Sequence, residues 1–360
     1  MLNTFNGDVE KAEIFLKEVV KTSPKYALDY ALILSIQGKV TESDEIIKQI
    51  LKDNPNDNRA AFNRGWHLLR EGKLKEGFQH LDRGRSENVF GSPALEGAEW
   101  KGESLANKRI LLRGEGGLGD EIINVRFAKQ LHELGAKVTV SCHPSLGLVF
   151  ARLPFIDSLV MRNYEAVSYF DYWTPAMSVA GKVCNSFDEL ESGAYLTAAP
   201  THIHKFKQII NSSKLKVGIR WAGNNQFEHE QFRKFPTELM LSLQDIPHIQ
   251  LYSLQRDADL VTLPESIIDL GSFIDTWEDT AGAIANLDLV ITSCTSIAHM
   301  AAALGKPTWV IVPVLPYYIW AEEGNKSSWY DSVTLFRQEK FGEWSEPFNK
   351  IRKELECYQS

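Results

Sequence analysis

The 360-residue chain is poor in cysteine: Cys142, Cys184, Cys294 and Cys357 stand far apart, with no CxxC pair among them. That spacing argues against a zinc ribbon or a disulfide framework and fits reduced thiols. Positive charge is also in short supply, with 39 Lys and Arg against 47 Asp and Glu, a net charge of −8. Without a basic surplus to neutralise phosphates, a general nucleic-acid binder is disfavoured, although local basic patches remain open. No apolar run approaches the roughly 20 residues of a membrane span, and the N-terminus lacks a basic-then-apolar signal pattern. The expectation is a soluble, cytoplasmic protein without a membrane span, long enough for two or three domains each burying its own core.

What is present begins with a helical texture over residues 1–92. A motif recurs at Gly7-Asp8-Val9-Glu10-Lys11-Ala12, Gly38-Lys39-Val40-Thr41-Glu42-Ser43 and Gly72-Lys73-Leu74-Lys75-Glu76-Gly77, at offsets of 31 and 34 residues. Each glycine precedes an amphipathic segment, such as Ala12, Phe15, Leu16, Val19 and Val20 at helical spacing. Ser23-Pro24 and Asn54-Pro55 stop two of these segments, and helices are expected at 26–37 and 59–71. Helix pairs at a period near 34 resemble tetratricopeptide repeats. Stacked pairs need neighbours to cover their apolar faces, so the last should dock on the adjoining domain. An ordinary helical bundle is the alternative.

After a connector over 93–108, strands and helices alternate. KRILLR at 108–113 reads as a buried strand and Gly114-Glu115-Gly116-Gly117-Leu118-Gly119-Asp120 as a glycine-rich turn, with a helix expected from Glu121 to Leu134. The turn meets the dinucleotide GxGxxG spacing only roughly and lacks the Lys-Ser/Thr ending of a P-loop. Its glycines, Gly117 and Gly119 among them, let backbone pass close to a ligand. Asp120, at a helix start, is a candidate general base, although an Asp there can equally cap the helix. Glu115 and Glu121 are the neighbouring carboxylates.

A second alternation begins with LKVGIRW at 215–221 and continues through strands at 249–254, 267–270, 287–291 and 308–312. The loops after its first two strands bring Asn224 and Gln255 to the edge where ligands bind in parallel sheets. Arg233, before Pro236, is suited to forked contacts with phosphate; a solvated charge is the alternative. Thr295 and Ser296 open a helix at 297–304 whose free N–H groups suit an anion, with His299 on its first turn. The bland alternative leaves Ser296 as a cap and His299 as a satisfied polar residue near a core. His202 and His204 are two apart on a helical segment and lack a third partner, so no metal site is expected.

Taken together, Trp100 to Glu103, E-G-G-L-G-D at 115–120, I-R-W-A-G-N at 219–224 and A-H-M-A-A-A-L-G-K-P at 298–307 resemble the heptosyltransferase-like glycosyltransferase family 9. Ser328-Trp329-Tyr330 and Leu335 to Gln338 are similar to the C-terminal part of members fused to tetratricopeptide repeats. The resemblance implies a GT-B fold, two Rossmann-like α/β domains facing a cleft: an acceptor-side domain at 109–205 and a donor domain at 206–360. It implies inverting transfer from a nucleotide-diphosphate sugar, with no cofactor and no obligatory metal. Asp120 matches the proposed general base, Arg233 the donor-phosphate contact, and Thr295, Ser296 and His299 the diphosphate-holding turn. Cys294 departs from the family, where an Asp is common. The acceptor, protein or glycan, could engage the helical repeats. The competing readings are a repeat scaffold with an inactive transferase domain, and a nucleotide-sugar epimerase. The aromatic segment Pro316 to Trp320 either lines the cleft or packs in the core.

Overall fold

The computed structural model describes residues 8–164, 169–223, 230–256 and 261–358. Five helices come first: α1 (Val9–Thr22), α2 (Ala27–Ile36), α3 (Val40–Asp53), α4 (Asn58–Arg70) and α5 (Leu74–Asp82). Local chemistry sets their ends. The Asp8 and Asp57 side chains accept from the Lys11 and Ala60 N–H groups and cap α1 and α4. Gly38 and Gly72, with φ of 79° and 78°, close α2 and α4 in the left-handed conformation that glycine adopts without penalty. The next residue, Lys39 or Lys73, then donates its N–H back to Leu34 or Leu68, and the chain turns into the following helix. The recurrent glycine therefore joins the two helices of a hairpin, α2 with α3 and α4 with α5. Gly7, the third instance, lies outside the described residues.

The first sheet has the order β3-β2-β1-β4 and is parallel throughout: β1 (Arg109–Arg113), β2 (Lys137–Cys142), β3 (Ser158–Met161) and β4 (Tyr172–Pro175). Its helices are α6 (Leu118–Asn124), α7 (Phe127–Glu133), α8 (Gly147–Phe150) and α9 (Ala176–Val183). The helix expected over 121–134 starts earlier, at Leu118, and breaks at Val125-Arg126. Then α10 (Pro200–Lys207) packs on a helix of the second sheet, so the expected boundary at 205 falls inside this helix.

The second sheet has the order β10-β11-β9-β8-β5-β6-β7. Its strands are β5 (Leu215–Arg220), β6 (Ile249–Ser253), β7 (Ile268–Asp269), β8 (Leu289–Ser293), β9 (Thr308–Val312), β10 (Lys326–Ser327) and β11 (Tyr330–Arg337). All pairs are parallel except β10 with β11. The accompanying helices are α11 (Glu230–Arg233), α12 (Thr237–Leu241), α13 (Trp277–Ala285), α14 (Ser296–Ala303) and α15 (Ser345–Cys357). Because alternate residues of a strand face opposite sides, Val217, Ile219, Ile291 and Ile311 share one core with Phe348 and Ile351 of α15. Val290, Val310 and Val312 enter another, shared with the first sheet and with Leu69, Phe78 and Leu81 of the helical hairpins. The four cysteines are free thiols, three of them buried. Among the described residues no helix is long and apolar enough to cross a membrane.

The last helical hairpin docks on the first sheet, α5 against α9, where a side chain at Gly181 would collide with Phe78. A buried charge pair fastens this contact. Glu115 accepts two hydrogen bonds from Arg85, both at 2.8 Å, and one each from the Ser92 and Met177 N–H groups. Fully buried and saturated by donors, it is a structural anchor for the glycine-rich turn. Glu115→Gln would leave the Arg85 guanidinium with Asp82, at 3.1 Å, as its remaining carboxylate partner, so the unfolding free energy from urea titration should fall by about 2 kcal/mol.

Candidate active-site cleft

In each sheet the first strand is central and its neighbours lie to either side, so β1 sits between β2 and β4 and β5 between β6 and β8. Strand order reverses there, and the loops at the carboxyl ends diverge and leave a crevice. The two crevices meet in one cleft of about 990 Å³, lined by Gly116 to Asp120 from one side and Arg220, Gly223, Arg233, Arg256 and Cys294 to Ile297 from the other. Gly117, Gly119, Asp120, Arg233, Thr295, Ser296 and His299 are thus brought together. Asn224 lies outside the described residues. Gln255 does not line the cleft: its Oε1 accepts from the Trp221 and Ala222 N–H groups, and its Nε2 donates to the Ala222 carbonyl. It braces the loop after β5, while the adjacent Arg256 faces the cleft.

Asp120 stands on the first turn of α6. Its Oδ2 accepts from the Gly117 N–H at 2.7 Å, and its Oδ1 from the Tyr317 hydroxyl at 2.6 Å. The carboxylate caps the helix and also faces the cleft. Gly116, at φ +71°, makes this geometry attainable, because a Cβ there would lie 2.5 Å from Oδ2. Desolvation in the cleft raises the Asp120 pKa above the ordinary carboxylate value, against the hydrogen bonds from Tyr317 and Gly117. Glu121 points away from the cleft. It accepts from the His143 N–H at 2.7 Å and from Arg162 at 2.9 Å, and burial raises its pKa to about 7.

Arg233 reaches the cleft from α11. It pairs with Glu230, donates to the Cys294 carbonyl, and lies where any side chain at Gly223 would strike its guanidinium. Glu230 also accepts from the Gly223 N–H at 3.0 Å, so Gly223 is held beside this cation. Cys294 is buried and its sulfur accepts from the Trp320 indole N–H at 3.0 Å; burial raises its thiol pKa, as expected of a packing residue. Arg220 and Arg256 make the second sheet's wall of the cleft cationic, and Thr276, Trp277 and Thr280 add hydroxyls and an indole. Of the further lining residues, Trp277 carries no sequence signal; Arg220 and Arg256 belong to a resembling motif and to a loop on the ligand edge without being singled out, and Tyr317 to the aromatic segment for which cleft lining is one of two readings.

His299 is buried. Its ring stacks on Trp320 at 5.3 Å, and the Tyr330 hydroxyl is 3.4 Å from Nδ1. Burial, then the charges of Arg126 and Arg233, lower its pKa to about 3, so the imidazole is neutral and brings no positive charge to the turn. It sits against Gly119, where a Cβ would come within 3.0 Å of its ring. Thr295 occupies the N-cap position of α14 without a side-chain capping bond, its hydroxyl 3.3 Å from that of Thr292, while Ser296 is the half-buried hydroxyl on the cleft wall. Among the described residues no group of three or more His, Cys, Asp or Glu is arranged to hold a metal.

The cleft continues onto the helical hairpins, where Leu28, Leu32, Phe62, Asn63, Trp66 and His67 form its outer wall.

No family model matches the chain. A curated relative, Protein FlbA of Caulobacter vibrioides, is 23% identical over 401 residues, covering 97% of this chain and 64% of its own length. The chain therefore spans less than two thirds of that protein. Among solved structures, a glycosyl transferase family 9 protein from Veillonella parvula superposes with a TM-score of 0.53 and 12% identity, covering 72% of this chain and 92% of its own. The E. coli ADP-heptose lps heptosyltransferase II superposes with a TM-score of 0.51 and 12% identity, over 69% of this chain and 98% of its own. At these identities the likeness is one of fold, a GT-B-like pair of parallel α/β sheets.

The neutral His299 has a consequence for stability. Unfolding restores an ordinary pKa near 6.5, so the unfolded chain binds a proton that the folded one refuses. The stabilisation is fully present above pH 6.5 and is lost as the pH falls toward about 3, at up to about 1.4 kcal/mol per pH unit. In urea titrations at pH 7 and 5, His299→Gln should lose less stability on acidification than the unmodified protein.

Proposed function

We propose that the chain is an inverting glycosyltransferase that moves a sugar from a nucleotide-diphosphate donor to an acceptor hydroxyl, with Asp120 as general base. The observation that carries this reading is one carboxylate at the end of the first sheet facing a cationic, hydroxyl-bearing wall at the end of the second. In the reaction the acceptor hydroxyl gives its proton to Asp120 as its oxygen bonds to the anomeric carbon. The bond from that carbon to the diphosphate breaks on the opposite side, and the diphosphate leaves with the electron pair. Arg233 and the free N–H groups and Ser296 hydroxyl at the start of α14 would receive the charge growing on it, without an obligatory metal. His299, being neutral, serves that turn through packing and hydrogen bonding. Gly117 and Gly119 keep the opposing backbone close, and Gln255 braces the chain after β5 through Trp221 and Ala222.

The fold and the cleft support this assignment, as does the likeness to structures described as family 9 and heptosyltransferase proteins. The helical hairpins, with their 34-residue spacing between Gly38 and Gly72, fit tetratricopeptide-like repeats over 1–92. In this reading the acceptor-side domain is 109–205 and the donor domain 206–360, one sheet in each, with the boundary inside α10. Since the cleft runs from Asp120 onto the hairpins, the acceptor would approach along their inner face.

Thermal stabilisation against a panel of nucleotide diphosphates and their sugars identifies the donor. With that donor, Asp120→Asn should keep binding within about two-fold while transfer falls at least about 100-fold, the range general-base catalysis supplies. Arg233→Ala should weaken nucleotide-diphosphate binding by about ten-fold or more in calorimetry, the scale of a charge-assisted hydrogen bond. A protein that binds donor yet releases no nucleotide and transfers no sugar with any acceptor would instead be a scaffold.

A further inference from the structure

Tyr317 reaches the cleft from the loop after β9, and its hydroxyl donates to Asp120 Oδ1. Its ring packs edge-on against Trp66 of α4 at 5.9 Å and lies tilted against Tyr318 at 4.6 Å. Tyr318 is itself buried among Trp66, Phe78, Phe90 and Trp329. One phenol thereby joins three parts of the molecule: the helical hairpins, the second sheet's loop and the carboxylate at the end of the first sheet. We infer that Tyr317 is a positioning residue for Asp120, holding the carboxylate in one rotamer and in its ionised form, with Trp66 fixing the phenol in turn. The inference rests on the general-base reading of Asp120.

The surroundings of Asp120 otherwise favour its protonation. Glu115 and Glu121 stand on the same segment and repel a negative charge, and the site is desolvated. From the second sheet come Tyr318, the buried Cys294 thiol and, across Gly119, the neutral His299. Arg233 is engaged with Glu230 and the Cys294 carbonyl, and Arg162 with Glu121. The charge on Asp120 is therefore sustained by hydrogen bonds, one from the Gly117 backbone and one from Tyr317. A phenol suits the task because the same burial and the Asp120 charge push its own pKa well above the ordinary range. It stays a donor and does not compete as a base. Each carboxylate oxygen has two lone-pair directions, so these contacts leave room for an acceptor hydroxyl.

The test uses the full chain labelled with 13C at Asp Cγ, with the Asp120 resonance assigned by its loss in Asp120→Asn. A hydrogen bond to a charged group corresponds to a shift of about one to two pH units. Tyr317→Phe keeps the ring and should raise the Asp120 titration midpoint by that amount. The acid limb of kcat/KM should move by the same amount, each unit giving about ten-fold lower kcat/KM below the midpoint, with the donor KM unchanged. Trp66→Phe should leave the midpoint in place, and Trp66→Ala should move it in the same direction by less. An unchanged midpoint in Tyr317→Phe overturns the assignment, whatever happens to the rate. A shifted midpoint in a protein inactive toward every nucleotide sugar would sustain the contact and defeat the transferase reading instead.

Discussion

The geometry of the cleft depends on one buried guanidinium. Arg126 sits at the break between α6 and α7, with its guanidinium carbon 4.5 and 4.3 Å from the ring centroids of Tyr195 and Tyr330. It donates to the carbonyls of Ile123, Glu191 and Trp329 and to the Tyr195 hydroxyl. A charge in the interior is tolerated when its donors meet good acceptors and its faces meet aromatic rings. Here the acceptors come from both halves, since Trp329 and Tyr330 belong to the second sheet and Ile123 to the first sheet's leading helix. Separating the halves would expose this charge to a partly dismantled site. The same helix break explains why a continuous helix over 121–134 is not formed: the chain turns to deliver Arg126 into the interface.

Much of this architecture is legible in the sequence, because the central strands of a parallel sheet are short apolar runs and their turns carry glycines or hydroxyls. LKVGIRW, LDLVI and TWVIV stand out for that reason, as do the hairpin-closing Gly38 and Gly72. Edge and terminal pieces do not. The strand at 172–175 and the helix at 176–183 lack a distinctive pattern, since they are specified by docking against the hairpins. The site divides the same way. Asp120, Arg233 and the turn at 295–296 follow from position relative to a strand end, a local property. Tyr317 is 197 residues from the carboxylate it touches, and no local rule links the two. Gln255 shows the reverse, a polar residue in the right loop whose amide is spent on the backbone beyond a neighbouring strand.

For the aromatic segment Pro316 to Trp320, lining the cleft and packing in the core both apply, residue by residue. Tyr318, Ile319 and Trp320 are buried, and Trp320 supports Cys294 and His299 from behind. Tyr317 turns the other way, toward the cleft. With Val314 close to Gly38 and Leu315 packed among residues of α1 and α2, the whole segment ties the helical hairpins to the floor of the site. The hairpins are thus part of the cleft's wall and of its support.

Gly119 sets the tolerance of the whole arrangement. The starts of α6 and α14 approach each other there with only a hydrogen between backbone and imidazole, and one added carbon would stand 3.0 Å from the His299 ring. The position acts as a caliper: the width between the Asp120 turn and the turn at 295–296 is gauged by the smallest side chain available. Evolution of this scaffold toward bulkier or smaller ligands must therefore proceed through the surrounding loops, because the gauge itself has no smaller setting.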